Sequence, residues 1–249
     1  MITLIPMAGL GNRFLKKNYP VSKPFIPIMN DPMVITALRS FPQSDRYIFV
    51  CLKEHYDTLK AATKALSVPV EIIVIDKVTQ GQACTCLHAK ETFNKDDSLF
   101  IASCDYQVVY DKKRYNKLMN DNSIDVIIWT FKIGAIKKAN PKAFAYCKID
   151  NGFVTQLVEK QTISNDPNKD SAVVGSFTYK KASLFEQSAQ QMIKKNIKVN
   201  GEFCVGTSIN QLIEQGYRVV PFEVEQFISF GDPFELELFN YWQNYFNRL

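Results

Sequence analysis

Short apolar runs rich in β-branched and aromatic residues punctuate the first half of the chain, at Ile2–Met7, Tyr47–Leu52, Val70–Ile75, Ser98–Ser103 and Val126–Phe131. Runs of this length read as buried strands, and the stretches between them are long enough to hold crossover helices. The alternation predicts an α/β fold built on a mainly parallel, doubly wound sheet. One helix start is marked by Asp31 as N-cap and Pro32 at the first helical position, followed by Met33, Ile35, Leu38 and Phe41 as apolar positions. Further helices are predicted over Glu54–Ala65, Gln82–Thr92, Tyr115–Asn120, Lys181–Lys195 and Thr207–Gln215.

Beyond Phe131 the pattern changes to alternating strands, Ala145–Ile149, Phe153–Val158 and Val173–Tyr179, joined by turns such as Asp150-Asn151-Gly152 and Ser164-Asn165-Asp166-Pro167. These predict a small antiparallel extension laid over the ligand-bearing edge of the sheet. A last helix starts at Asp232-Pro233 and spaces Phe234, Leu238, Trp242, Tyr245 and Leu249 helically, giving a broad aromatic face. Packing across the domain or a homo-oligomer contact would use that face. Length and pattern predict one domain over 1–249, with halves at about 1–131 and 132–249.

Composition narrows the class. At 46% hydrophobic and 22% charged, the 249 residues suit a globular protein with a large core. The net charge of +5 comes from scattered pairs, Lys16-Lys17, Lys112-Lys113, Lys137-Lys138, Lys180-Lys181 and Lys194-Lys195. No basic stripe with interleaved aromatics appears, so nucleic acid is not an expected partner. No positive segment precedes the first apolar run and no stretch approaches the ~20 apolar residues of a membrane span, so the expectation is a cytoplasmic protein without a membrane partner. Cys51, Cys84, Cys86, Cys104, Cys147 and Cys204 read as small buried hydrophobes, and His55 and His88 lack metal-ligand companions.

The chemistry concentrates where strands end. The first strand runs into Met7-Ala8-Gly9-Leu10-Gly11-Asn12-Arg13. Glycines there let backbone N–H groups approach a triphosphate, and Arg13 adds a forked cation. Lys23, in Ser22-Lys23-Pro24-Phe25-Ile26-Pro27-Ile28, supplies a point charge able to neutralise phosphate in the transition state. Leu99-Phe100-Ile101-Ala102-Ser103-Cys104-Asp105 is a strand that delivers one carboxylate to the edge where open α/β sheets bind ligands.

Together these residues resemble the signature of the sugar-phosphate nucleotidylyltransferases, a Gly-x-Gly-x-Arg loop followed by a Ser-Lys element ending in Ile-Pro. Asn12 stands where that family usually has Thr or Ser, and Pro6-Met7 replaces its common Leu-Ala. The resemblance implies a Rossmann-like fold of the nucleotide-diphospho-sugar transferase type, related to the GT-A glycosyltransferases. It also implies a reaction joining an NTP to a sugar phosphate with release of pyrophosphate, in making surface polysaccharide precursors.

What it implies for residues is specific. Ala8, Gly9, Leu10, Gly11 and Asn12 would lie against the nucleotide, with Arg13 and Lys23 on the phosphates and Asp105 on Mg²⁺. Thr79-Gln80-Gly81-Gln82-Ala83 resembles the base-reading segment, which makes Gly81 and Gln82 base contacts; a carboxamide suits a pyrimidine edge. Glu159 and Lys160 resemble an acceptor-binding pair, Gly175 a glycine strand under the sugar, and Asn200 and Glu202 a segment beside the acceptor. The second metal-binding aspartate of the family is displaced. Asp232 reads as a helix cap with Glu235 completing a capping box, leaving Glu223, Glu225 or water as the second ligand. Two other readings stay open: a cytidylyltransferase for an amino alcohol, polyol or amino acid phosphate, and a GT-A glycosyltransferase, against which Cys104-Asp105-Tyr106 counts by lacking Asp-x-Asp.

Overall fold

The structure, a computed structural model, describes residues 1–133 and 141–248. Lys137-Lys138 and Leu249 lie outside the described residues. In chain order the elements are β1 (Ile2–Met7), α1 (Asn12–Leu15), β2 (Pro27–Ile28), β3 (Asp31–Pro32), α2 (Met33–Leu38), β4 (Arg46–Leu52), α3 (Tyr56–Ala62), β5 (Val70–Ile75), α4 (Gln82–Leu87), β6 (Leu99–Ile101), β7 (Tyr106–Val109), α5 (Lys112–Asn120), β8 (Val126–Phe131), β9 (Ala145–Asp150), β10 (Phe153–Glu159), β11 (Ser171–Tyr179), α6 (Ala182–Lys194), α7 (Val205–Ile213), β12 (Val219–Glu223), β13 (Gln226–Ser229) and α8 (Pro233–Phe246).

The central strands of the first half are apolar on both sides because both faces of the sheet are covered there, while the edge strand β5 carries Glu71 and is largely half-buried. In β1, Leu4 joins one core with Ile48 and Val50 of β4, while Ile5 joins the other with Phe49 and Cys51. Ala83, Phe185, Ala189, Ile209 and Leu212 bring α4, α6 and α7 to the first face. Val34, Leu38, Leu59 and Tyr115 bring α2, α3 and α5 to the second. This is the doubly wound arrangement that the alternation predicted.

The strand order is β10-β9-β11-β6-β1-β4-β5, with β8 between β11 and β12. β1 pairs in parallel with both β4 and β6, so the winding reverses between β1 and β6. The loops leaving those two strands flank the resulting crevice, the position where open α/β sheets take ligands. The antiparallel strands expected after Phe131 are present, but they join the main sheet instead of lying over it. β11 pairs with β6 and β9 along one edge and with β8 along the other.

Two local expectations are corrected. Asp31 does not cap α2: with Pro32 it pairs against Pro27–Ile28, and its carboxylate meets Arg39 at 2.6 Å. A residue held in a ladder opposite Ile28 cannot also turn its side chain onto the first helical turn, and the N–H of Met33 is met by Ile26 O at 2.9 Å. The second concerns α8, which does begin after Asp232, whose carboxylate accepts from Glu235 N at 3.0 Å. The reciprocal half of the capping box is absent, because the Glu235 side chain turns to Ser229.

Candidate active site

The loop after β1 folds tightly at Gly11, which takes φ 64° as the residue before α1. A β-carbon there would come within 3.0 Å of Lys23 Cβ, so glycine allows both the left-handed turn and the approach of Lys23. Gly9 has nothing within 4 Å of where a β-carbon would stand, leaving room over the loop. Ala8 is buried, whereas Leu10, Asn12 and Arg13 are exposed. Phe14 anchors the loop in a small core with Ile26, Ile28, Met33, Phe230 and Leu236.

Lys23 donates to the Asp105 carboxylate, uniting two of the sequence-derived site residues. Burial opposes charge on both groups, but the attraction and hydrogen bond between them win. The Lys23 ammonium ends above its ordinary value and the Asp105 carboxyl below its own, the latter helped by Ser103 and Arg13. Both are therefore charged at neutral pH. Arg13 reaches over the same crevice, with its guanidinium 3.8 Å from Asp232 and 72% of its side chain exposed, free to meet an incoming anion.

The chain closes on this cluster from the far end of the sequence. β13 pairs with β7, opposing Ser229 to Tyr106, and Phe230 N donates to Asp105 O at 2.8 Å. A β-carbon on Gly231 would lie 3.3 Å from Asp105 Oδ2 and 3.5 Å from Glu235 Oε2. Glu235 thus shares the Gly231 turn with Asp105. Burial pushes its carboxyl up, with Asp232 and Asp105 adding to the rise against the hydrogen bond from Ser229 at 2.7 Å. Neither carboxylate offered by the sequence as a second ligand is there: Glu223 pairs with Lys132 at 3.9 Å, and Glu225 follows β12 with its N–H on Val109 O. Glu235 was missed because its spacing from Asp232 satisfies a helix cap, and local spacing does not reveal which way a side chain turns.

A second cluster gathers the Gly81 turn, the Asn200–Phe203 segment and the end of β10. Gly81, at φ 125° before α4, packs on the Phe203 backbone; Phe203 N donates to Gln80 O at 2.8 Å and Ala83 N to Phe203 O at 3.0 Å. Gly81 and half-buried Gln82 are thereby fixed beside the Asn200–Phe203 segment. Asn200 and Gly201, at φ 51° and 83°, form the turn that pairs Val199 with Glu202, and Asn200 and Glu202 are both exposed. Glu159 ends β10 over the first turn of α7, where a β-carbon on Gly206 would sit 2.9 Å from its Oε1. Burial raises the Glu159 carboxyl despite Lys160 and Thr207 acting the other way. Lys160 is exposed at φ 55°, its N–H on Phe144 O at 2.9 Å.

Two further residues organise this half. Asn210 of α7 takes Leu157 N at 2.8 Å and donates to Leu157 O at 2.9 Å, fixing β10 two residues before Glu159. Tyr106 hydrogen-bonds Ser176 and lies 3.8 Å from where a β-carbon on Gly175 would stand. Gly175, at φ 100°, sits in the stretch of β11 where the register to β8 shifts, so β11 bends next to the residue that follows Asp105.

The architecture is a Rossmann-like α/β fold with a crevice at the switch point of its sheet. No protein-family model and no curated protein matches the sequence. Among solved structures, a nucleoside-diphosphate-sugar pyrophosphorylase from Vibrio cholerae RC9 matches with TM-score 0.78 and 20% identity over 96% of this chain and 99% of that one. The inositol-1-phosphate CTP transferase from T. maritima matches with TM-score 0.74 and 13% identity over 96% and 94%. A Bacillus anthracis protein assigned as a glucose-1-phosphate thymidylyltransferase, solved with sucrose, matches with TM-score 0.74 and 18% identity over 97% and 95%. At these identities the likeness establishes the shared fold, and it extends over nearly the whole of each chain.

Proposed function

We propose that the protein is an Mg²⁺-dependent nucleotidyltransferase, a single domain that joins the nucleoside monophosphate of an NTP to a sugar phosphate and releases pyrophosphate. The observation that carries the reading is the charged Lys23–Asp105 pair with Arg13 beside it, at the crevice where the sheet reverses its winding. Lys23, held protonated, and exposed Arg13 bind and orient phosphate oxygens and offset the charge that builds on them in the transition state. The loop from Ala8 to Asn12 lies along the nucleotide, with Gly81 and Gln82 at the base, favouring a pyrimidine. The acceptor phosphate is already ionised, so alignment with the α-phosphorus supplies the rate enhancement without a strong base.

The donor set fits a hard divalent cation, because Asp105 Oδ2 and Glu235 Oε2 stand 3.3 and 3.5 Å from one point at the Gly231 turn, two carboxylate oxygens converging on the same space. Mg²⁺ held by Asp105 and Glu235 would supply positive charge to offset the negative charge that develops during transfer. On the acceptor side, Glu159 accepts hydroxyl hydrogen bonds, Lys160 meets the acceptor phosphate, and Gly175, Asn200 and Glu202 line the remaining space.

A second reading, cytidylyl transfer to a non-sugar phosphate, is favoured by one observation: Glu159 is a half-buried carboxylate that an ammonium would satisfy as well as a hydroxyl. The T. maritima neighbour also uses CTP on inositol-1-phosphate. The deciding experiment supplies ATP, GTP, CTP, UTP and dTTP separately with pooled phosphate acceptors and Mg²⁺, and measures pyrophosphate release. Turnover with a hexose or heptose phosphate supports the first reading. Turnover only with a phosphorylated amino alcohol, polyol or amino acid supports the second, and no release with any pair rejects both.

A further inference from the structure

The helix α8 starts at the catalytic crevice and then leaves the body of the protein. Its buried side chains are Pro233 and Leu236, in the first turn. Phe239 adds an edge contact to Phe230 with ring centroids 4.9 Å apart, and no side chain from Asn240 to Arg248 is buried. At 1.5 Å per residue the 14-residue helix is about 21 Å long, so about half of it has no support from the fold. An unsupported helix of this length is marginal in water.

Among the described residues, α8 also carries six exposed large apolar side chains. Phe234, Leu238, Tyr241, Trp242, Tyr245 and Phe246 are each between 46% and 64% exposed. The last four pack on one another, with centroids 5.3 Å apart for Tyr241–Trp242 and 5.4 Å for Tyr245–Phe246. Phe234, Leu238, Tyr241 and Tyr245 are separated by four, three and four residues, the spacing of a two-helix seam. Six such side chains, about half exposed, present roughly 600 Å² per copy, and two copies together about 1,200 Å², above the ~1,000 Å² expected of a specific interface.

We infer that α8 is a self-association surface, on which two copies of this chain pair their α8 helices antiparallel about a two-fold axis. The charges select this occupant and direction. Glu237 lies near the start of α8 and Arg248 in the turn just past its C-cap Asn247, both exposed. Antiparallel pairing carries each Glu237 toward Arg248 of the other copy, whereas parallel pairing would oppose like charges. Centred between Tyr241 and Trp242, it sets Leu238 of one copy against Tyr245 of the other, an isologous contact. A membrane surface fits less well, since interfacial helices carry Lys and Arg on the polar face and α8 offers Glu235 and Glu237 against one Arg248. Because α8 begins at Asp232 and Glu235, pairing would also brace the turn that carries Ser229 and Gly231 to Asp105.

The test is light scattering coupled to size exclusion on the full chain at micromolar concentration, with analytical ultracentrifugation for the dissociation constant. The expected result is a mass twice that of the chain, and a monomer that still unfolds cooperatively for Tyr241→Glu/Tyr245→Glu. Glu237→Arg and Arg248→Glu should each weaken the dimer several-fold, and the double swap should restore it. A monomeric wild type, a dimer that survives Tyr241→Glu/Tyr245→Glu, or a double swap without rescue would each overturn the inference. So would a monomer that binds vesicles of anionic phospholipid through α8.

Discussion

Gly81 stands so close to the Phe203 backbone that a β-carbon on it would fall 2.5 Å from Phe203 N and 2.6 Å from Phe203 O. The contact fastens the turn entering α4 to the segment entering α7, two stretches from opposite halves of the sequence. The proposed base-reading residues and the proposed acceptor segment are therefore one rigid unit.

Gly81→Ala should damage that unit. The position takes φ 125° and ψ 171°, conformations that cost a side chain about 1–3 kcal/mol, and the backbone of Phe203 cannot yield without breaking its bonds to Gln80 and Ala83. We expect a loss of at least ~2 kcal/mol, roughly 5 °C in melting temperature for a chain of this size. Gly9→Ala, with open space at the β-carbon, should melt like the wild type. Calorimetry on the two variants checks the contrast, and equal melting temperatures would contradict it.

Lys23→Ala and Arg13→Ala should each lose about 100-fold or more in turnover, the scale of one preorganised charge-stabilising group. They should differ in stability. Arg13 is exposed and its removal should be nearly silent, whereas loss of Lys23 leaves Asp105 without its counter-charge. The lowered Asp105 carboxyl contributes stability above the unfolded value of 3.8, lost as pH falls through the folded value. The raised Lys23 ammonium contributes below 10.5 and loses it as pH rises through its folded value. The deficit of Lys23→Ala should accordingly be a plateau across neutral pH that shrinks in acid. Chemical denaturation at a series of pH values checks this; a deficit that grows in acid would refute it.

Glu159→Gln should stabilise the protein while impairing it. The raised carboxyl favours the folded state below the unfolded value of 4.5 and loses that contribution as pH rises. Removing the charge should raise the melting temperature at pH 7–8 with little change below 4.5. If Glu159 binds the acceptor, the same variant should raise the KM for that substrate by ~10-fold or more and leave the KM for the NTP alone. A destabilised variant at pH 7 would argue for a structural role instead.

How much of this is legible in the sequence depends on whether information is local. The bounds of β1 and β8 coincide with apolar runs because strands covered on both faces leave an unbroken hydrophobic record. The meeting of Lys23 and Asp105 is legible for a similar reason, since each follows a strand that ends at the same sheet edge. Pairing partners are not local: alternation in Ser171–Tyr179 says which side chains share a face, and says nothing of β11 running between β6 and β8. The same limit hid the clamp of Asn210 on Leu157, Tyr106 beside Gly175, and the diversion of Asp31 into the ladder with Ile28.

The turn at Gly231 allows the proposed metal site and the helix cap to be told apart, because three carboxylates meet there in different situations. Asp105 is held charged by Lys23, Asp232 accepts the Glu235 N–H, and Glu235 is bound by Ser229 with its carboxyl raised. Turnover should stop when Mg²⁺ is chelated and return when it is restored. Asp105→Asn should lose at least ~100-fold, since a neutral amide is a poor ligand for a hard cation and leaves Lys23 without its partner. Asp232→Asn keeps a side-chain oxygen for the Glu235 N–H, so its cost should stay within about 1 kcal/mol of stability, with turnover largely retained. Glu235→Gln should raise the Mg²⁺ concentration for half-maximal rate while keeping the fold. Titrating Mg²⁺ on the three variants, with melting temperatures alongside, distinguishes these roles. If Asp232→Asn abolished metal-dependent turnover at an unchanged melting temperature, Asp232 would be the metal ligand and its cap incidental.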